Sequence, residues 1–297
     1  MKASVEFDIE RLVSKYQLRE DEKNILESLR VDEKTRDEIA GYDQRTDEWH
    51  KARTFRLTAS RFGAARSHCQ YTKPKQLLKN MLWNDFQGNV ATEYGEKNED
   101  VALGIYEKCK EKQGTPVQIK RPGLIVSLEH PWIGVSVDGL VRDDSENEGR
   151  KNGGLEIKCP YGKKLYSYIP SQYYDQIQGS MGILGLPWWD FVVYTPHHIQ
   201  IRRFQFDETY FQTELFPRLE EFYMREYLPR ANLQQKGLLQ PGQIDLVEAS
   251  EPNSSGANQQ TDQPQETTTT ISIPAVFNIF VPDTDESAEI PINSILV

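Results

Sequence analysis

The sequence predicts an α/β (α+β) domain: a central mixed β-sheet flanked by helices, with an N-terminal helical arm and an acidic C-terminal tail. Three observations carry this. Short apolar runs bounded by turn residues cluster between Val117 and Tyr161, and again between Asp190 and Phe206. Helical patterns precede, separate and follow those runs, which places helices over a sheet. After about Gln235 the chain turns to Gln, Ser, Thr, Asn, Pro and acidic residues, the composition of a disordered segment. The expected division is an arm over 1–40, a domain over 41–232 and a largely disordered tail over 233–297.

With 297 residues, 37% hydrophobic and 10% aromatic, the chain can bury a real core. No stretch approaches the ~18 apolar residues of a membrane span, and no secretory h-region is visible. Cys69, Cys109 and Cys159 lack metal-site spacing and suit a reducing, intracellular setting. That setting would be the nucleus in a eukaryotic host and the cytoplasm otherwise. The net charge of −10 argues against nucleic acid only superficially. From Gln243 onward there are nine acidic residues and no Lys or Arg, so the body carries 36 acids against 35 bases. Local charge, not net charge, makes a binding site.

Taken in order, residues 1–40 read as polar helices with apolar positions at Phe7, Ile9, Leu12, Tyr16, Ile25, Leu26 and Leu29. Thr46 to Arg53 reads as a helix with Thr46 as N-cap and Trp49 turned inward. Basic residues recur at Lys51, Arg53, Arg56, Arg61 and Arg66, interleaved with Trp49, Phe55 and Phe62. Thr58 and Ser60 then open another helix, where hydroxyls, free N–H groups and arginines suit an anion. An ordinary solvated basic helix is the plainer alternative. Lys73 to Trp83 and the stretch from Gly88 to Lys112 are helical, with Glu96 and Glu99 three apart on one face. Strands follow at 117–120, 124–128 and 132–137. Ser171 to Leu184 is a helix crossing back over the sheet, with Gln172 and Gln176 one turn apart on its polar face. Strands at 190–195 and 199–206 are turned by Pro196-His-His198. Asp207 to Arg230 is a helix interrupted near Pro217. The apolar patches Ile271–Val281 and Ile290–Val297 are either docking segments or inert.

The chemistry centres on Gly153-Gly-Leu-Glu-Ile-Lys-Cys-Pro-Tyr161. Its alternation puts Glu156 and Lys158 on one face of a strand, kept short by the two glycines that precede it and the Pro160 that follows. Asp138, in Trp132-Ile-Gly-Val-Ser-Val-Asp138-Gly-Leu-Val141, supplies a second acid from a neighbouring strand. Two acids and a lysine form the core of a metal-dependent phosphodiesterase site, although Asp…Glu-x-Lys also arises by chance on ordinary hairpins. Hard oxygen donors of this kind suit Mg²⁺, with Mn²⁺ able to substitute, and nothing here suits zinc.

Order makes the pattern specific. Trp49-His-Lys-Ala-Arg53 and Leu57-Thr-Ala-Ser60 come first, then Tyr94-Gly-Glu-Lys-Asn-Glu99, then Ser136-Val-Asp138-Gly-Leu140. Gly154-Leu-Glu-Ile-Lys-Cys-Pro160 and Tyr173-Tyr-Asp-Gln-Ile-Gln178 close the series. This series resembles the YqaJ family of viral-type recombination exonucleases, related to the lambda exonuclease, among the PD-(D/E)xK nucleases. The resemblance covers roughly residues 42–230. It implies a restriction-endonuclease-like core and a Mg²⁺-dependent deoxyribonuclease, acting 5′-to-3′ on duplex DNA ends independently of sequence. It implies two metal ions held by Asp138, Glu156, Glu99 and the carbonyl of Ile157. Lys158 would orient or deprotonate the attacking water, with Gln176 positioning Lys158 or the water. Arg53 and Ser60 would receive a terminal 5′-phosphate, with Thr58 beside them, and Lys51, Arg56, Arg61, Lys163 and Lys164 around the groove would supply salt-sensitive DNA binding. It further suggests a homo-oligomeric ring and a single-strand-annealing partner. Thr54-Phe55-Arg56 stands where the family often has glycine. The alternatives are a structure-specific or restriction-like endonuclease of the same superfamily, or a catalytically silent DNA-binding subunit.

Overall fold

The structure is a computed structural model that describes residues 7–67, 75–83, 88–162, 165–246, 288–292 and 295. Cys69, Lys163, Lys164 and the patch Ile271–Val281 lie outside the described residues, as do residues 247–287 of the tail.

The arm forms α1 (Ile9–Tyr16), α2 (Glu20–Ser28) and α3 (Glu33–Ala40). Asp8 and Asp32 cap α1 and α3 by accepting the N–H groups of Arg11 and Thr35. Leu12, Tyr16, Leu26 and Leu29 are buried in the same core as Trp132, Phe191 and Tyr223, so the arm shares the core of the domain. Its polar anchor is Glu220, only 2% exposed, which accepts from Arg11, Lys15 and the Tyr16 hydroxyl at 2.5, 2.7 and 3.0 Å.

Next come α4 (Asp47–Arg53), β1 (Leu57–Thr58), a 3-10 turn Ala59–Arg61 and α5 (Phe62–Arg66). Thr46 caps α4 through its hydroxyl, which accepts from the N–H of Trp49, and Trp49 is buried. α6 (Lys75–Trp83) leads to α7 (Val90–Lys112), whose N-cap is Asn89. The strands are β2 (Val117–Lys120), β3 (Ile125–Val126), β4 (Ile133–Val135), β5 (Gly139–Asp143) and β6 (Asn152–Lys158). α8 (Ser171–Leu184) crosses to β7 (Trp188–Tyr194), which turns into β8 (His198–Gln205). β9 (Ala288–Pro291) comes from the tail.

The main sheet has the order β2-β5-β6-β7-β8-β9, and β1-β4-β3 form a second, three-stranded sheet. Only β6 and β7 are parallel in the main sheet, and α8 is the crossover that a parallel pair requires. α7 is pinned to the sheet from its buried side. Tyr106 donates to Asp190 Oδ2 at 2.7 Å, and Lys110 pairs with Asp143 at 3.3 Å.

Three features depart from the sequence reading. The two glycines expected to bound the central strand lie inside β6, because indole rings occupy their faces. A Cβ on Gly153 would stand 2.3 Å from Trp188, and one on Gly154 would stand 2.2 Å from Trp189. Gly154→Ala is expected to cost about 1–3 kcal/mol, because Trp189 must move out of a packed core. A urea midpoint unchanged from wild type would contradict this.

The helix expected over 207–230 continues to Gln235 and is not broken at Pro217. It is widened into π turns over Phe211–Leu215 and Phe222–Tyr227, just ahead of Pro217 and Pro229. A wider turn absorbs the missing N–H and the ring clash that proline brings. The tail also contributes structure. Ala288–Pro291 pairs with β8 from Ile201 to His198, and Ile292 and Ile295 are buried. The apolar end of the tail therefore covers the sheet edge of its own chain.

His130 contributes to the acid sensitivity of this fold. Its side chain is 19% exposed, and burial pushes its pKa down to about 4. In the unfolded chain it titrates near ~6.5, so on acidification the unfolded state takes the proton first. Stability is full above about pH 6.5 and is lost as the pH falls toward 4. The loss between pH 7 and pH 5 is on the order of 2 kcal/mol. Urea unfolding at those two pH values should show it, and His130→Gln should flatten the difference.

Candidate active site

The site forms where β5 begins and β6 ends. Gly139 pairs with Leu155, so one step further along the register Asp138 stands opposite Glu156. β5 does not extend that far. Instead the Asp138 carboxylate accepts the N–H of Ile157 at 2.6 Å, taking a donor that would otherwise be orphaned. Glu156 is 4% exposed, and its Oε1 is bonded by the Lys158 ammonium. Lys158 also lies 5.0 Å from the centroid of the Tyr173 ring, an aromatic contact supplied by α8.

Two acids facing each other across a ladder are mutually unfavourable. Burial, reinforced by the Glu156 charge, raises the Asp138 carboxyl above its ordinary value; Lys158 and the Ile157 N–H oppose this. Burial alone would lower Lys158, but Glu156 and Asp138 outweigh it and hold its pKa raised. Lys158 thereby bonds Glu156 and offsets the charge of the two acids.

A cleft of about 500 Å³ opens on this end of the sheet, lined by Glu99, Asp138, Ile157, Lys158, Cys159 and Tyr173 among others. Burial, with Glu99 and Asp138, pushes the Cys159 thiol up to about 12, so it is a poor metal ligand as it stands. Among the described residues, no three His, Cys, Asp or Glu side chains are grouped closely enough to hold a metal ion. The oxygen donors nevertheless suit a hard cation: two opposed, partly desolvated acids beside a main-chain carbonyl, with a single ammonium to balance them. Mg²⁺ retains several waters, so few protein ligands suffice. Glu99 borders the same cleft, but its carboxylate is bonded by Arg121 and Arg45. Gln176 is buried on α8, and no hydrogen bond joins it to Lys158.

The residues expected to meet a phosphate divide in two. Arg53 donates to Ser136 Oγ at 3.0 Å and to Thr58 Oγ1 at 3.3 Å, with its guanidinium 4.0 Å from the Trp49 ring centroid. Burial, then the neighbouring Arg61, lowers Arg53 to about 10, so it stays charged at neutral pH. Arg61 is lowered by burial as well. Among the described residues no carboxylate pairs with either one, and that leaves two partly buried cations without an acidic counterpart. Ser60 is exposed on the 3-10 turn between them. Ser136 was read only as part of the Asp138 motif. Its two-residue spacing from Asp138 was the available signal that it joins Arg53 to the acids.

Arg56 belongs elsewhere. It is 7% exposed and its donors are spent on the carbonyls of Pro131 (2.9 Å), Ala52 (2.6 Å) and Leu29 (3.0 Å). It ties α4 to the arm and to the β4 entry, so the expectation of a phosphate contact is corrected. Phe55, where relatives often have glycine, has φ 61°, the left-handed backbone that glycine favours. Its carbonyl accepts from Tyr223 at 2.6 Å, which offsets the strain.

A mixed sheet with a crossover helix, and Asp138, Glu156 and Lys158 at one end beside a cleft, have the arrangement expected of the PD-(D/E)xK nuclease class. Residues 48–187 match the family model of the YqaJ-like viral recombinase domain. Solved structures show a similar arrangement. Two are of LHK-Exo, an alkaline exonuclease from Laribacter hongkongensis, one of them in complex with dAMP. Each is 24% identical and covers 65% of this chain; 98% and 100% of their own chains are covered, with TM-scores of 0.49 and 0.47. A phage-related exonuclease from Haemophilus somnus is 16% identical, covering 57% of this chain and 93% of that one, with a TM-score of 0.40. No curated protein matches the chain. No helix among the described residues is long and apolar enough to cross a membrane.

Proposed function

We propose that the protein is a divalent-metal-dependent deoxyribonuclease that digests one strand of duplex DNA from its 5′ end. The observation that carries this is the Asp138–Glu156–Lys158 cluster where β5 begins and β6 ends, together with the Arg53 guanidinium bonded to Ser136. The two lie two residues apart along the chain, at Ser136 and Asp138. The match of residues 48–187 to the YqaJ-like viral recombinase domain supports the reading.

Asp138, Glu156 and the Ile157 carbonyl would hold Mg²⁺ or Mn²⁺, with Glu99 reaching a second ion. The bound ions supply charge neutralisation at the scissile phosphate and a more acidic water. The protein's own residues do the placing. Arg53, with Ser136, Thr58, Ser60 and Arg61 around it, would receive the terminal phosphate and so register the strand. Lys158, held by Glu156 on one side and the Tyr173 ring on the other, would donate to the attacking water or to a phosphate oxygen. Lys51 and Arg61 would add sequence-independent, salt-sensitive attraction. Nothing in a single chain bears on the ring or the annealing partner, which come from the resemblance alone.

The test is a linear duplex bearing a 5′-phosphate on one strand and a 5′-hydroxyl on the other, each differently labelled, in Mg²⁺ or in EDTA. Selective Mg²⁺-dependent loss of the phosphorylated strand is expected. Equal loss of both strands would keep the nuclease and discard the end pocket. Cleavage of closed circular DNA at a comparable rate would mark an endonuclease. Binding without hydrolysis would mark a silent subunit.

A further inference from the structure

We propose that Arg45 and Arg121 form a clamp on Glu99 that metal and DNA release together: the cation takes the carboxylate, and the freed guanidiniums take backbone phosphates. This rests on the nuclease reading given above and adds two residues to it.

Both oxygens of Glu99 are engaged by arginine. Arg121 bonds Oε1 through one Nη and Asp100 Oδ1 at 2.5 Å through the other. Arg45 approaches Oε2 at 3.4 Å and Glu96 Oε1 at 3.6 Å. In this arrangement each Glu99 oxygen already faces a guanidinium with which a cation would compete; the side chain is only 17% exposed and borders the cleft beside Asp138. Asp138 and Arg121 also sense each other's charge, so the clamp acts on the field of the site as well as on Glu99.

The arginines reach Glu99 from two segments outside α7, and a shared amide fixes both segments. Gln44 Nε2 donates to the carbonyls of Pro122 and Val137, each at 3.0 Å. Gln44 adjoins Arg45, Pro122 adjoins Arg121, and Val137 adjoins Asp138. One side chain therefore references both clamp residues to the start of β5. Arg45 itself has φ 73°, a left-handed backbone unfavourable for a residue with a Cβ. That strain is maintained at a position whose head group serves the carboxylates.

The heads are free to leave. The side chains of Arg45 and Arg121 are 53% and 39% exposed, and ion pairs so placed contribute little to stability. A doubly charged ion next to Asp138 outcompetes a guanidinium for Glu99. The released arginines are exposed beside Glu99, itself at the cleft, and would take backbone phosphates in place of the carboxylate charge.

The test begins without DNA. Mn²⁺ binding is followed by the electron paramagnetic resonance of the free ion for wild type, Arg121→Ala, Arg45→Gly, Glu99→Gln and Glu99→Gln/Arg121→Ala. Glycine suits the backbone at position 45, so Arg45→Gly removes charge without adding strain. Thermal melts check that each variant is folded. Arg121→Ala and Arg45→Gly should each bind Mn²⁺ more tightly than wild type, by about three- to tenfold. Arg121→Ala should bring no gain in the Glu99→Gln background. Duplex affinity measured in Ca²⁺ across a salt series should fall in both arginine variants, and the salt slope should drop by about one per arginine. Equal or weaker Mn²⁺ binding by folded Arg121→Ala would overturn the clamp and leave the arginines as orienting residues. An unchanged salt slope would overturn the phosphate half. Wild-type protein that neither binds Mn²⁺ nor cleaves DNA would instead defeat the nuclease reading itself.

Discussion

Lys158→Ala and Glu156→Gln are expected to reduce hydrolysis of linear duplex DNA by about a thousandfold or more, with duplex affinity within about threefold of wild type. The asymmetry follows from where the groups sit. Glu156 is 4% exposed and holds Lys158, so neither can contribute much to a salt-sensitive binding surface. Both stand at the cleft end of β6 beside Asp138. Glutamine is preferred to alanine at position 156, because it keeps the volume and leaves the Lys158 ammonium a hydrogen-bond acceptor. Single-turnover cleavage and a parallel binding isotherm in Ca²⁺ separate the two quantities. A near-normal cleavage rate for Lys158→Ala would remove the proposed role of that residue.

Arg53→Ala and Arg56→Ala, three residues apart, are expected to fail in opposite ways. Arg53→Ala should fold normally and lose its preference for 5′-phosphorylated ends by about tenfold or more, the scale of a charge-assisted hydrogen-bond pair. Arg53→Lys should recover only part of it, since an ammonium cannot span two phosphate oxygens. Arg56→Ala should keep the end preference in whatever protein folds, but lose about 3 kcal/mol or more of stability, because three main-chain carbonyls lose their donor. Thermal melts and the ratio of phosphorylated to hydroxyl ends digested distinguish the two. A stable Arg56→Ala with altered end preference would reverse the assignments.

The comparison of these two arginines shows how far a linear reading reaches. Both lie in one basic, aromatic-interleaved run, and nothing local separates them. Arg56 meets the carbonyls of Pro131 and Leu29 because β1 runs parallel to β4 and the arm folds back on α4, contacts 75 and 27 residues away. Arg53 meets Ser136, 83 residues away, through the same pairing.

Patterns whose cause is local were legible. Thr46 caps its own helix three residues on, and α8 follows the apolar period written into Ser171 to Leu184. The alternation of Glu156 and Lys158 follows from strand geometry alone. The ordered motifs also led to the family whose model matches residues 48–187.

Other outcomes depended on chain segments far apart in sequence. Register sets Asp138 opposite Glu156, and indole rings from β7 turn two expected strand-breaking glycines into the middle of β6. Glu99 lies on the helix face its spacing foretold, yet its carboxylate goes to Arg45 and Arg121. The end of a tail that reads as low complexity becomes an edge strand on β8. Period and capping are settled within a turn or two of chain, so one sequence displays them. The partner that a long charged side chain meets depends on which distant backbone the fold brings within about 3 Å of it, and only the assembled tertiary structure decides that.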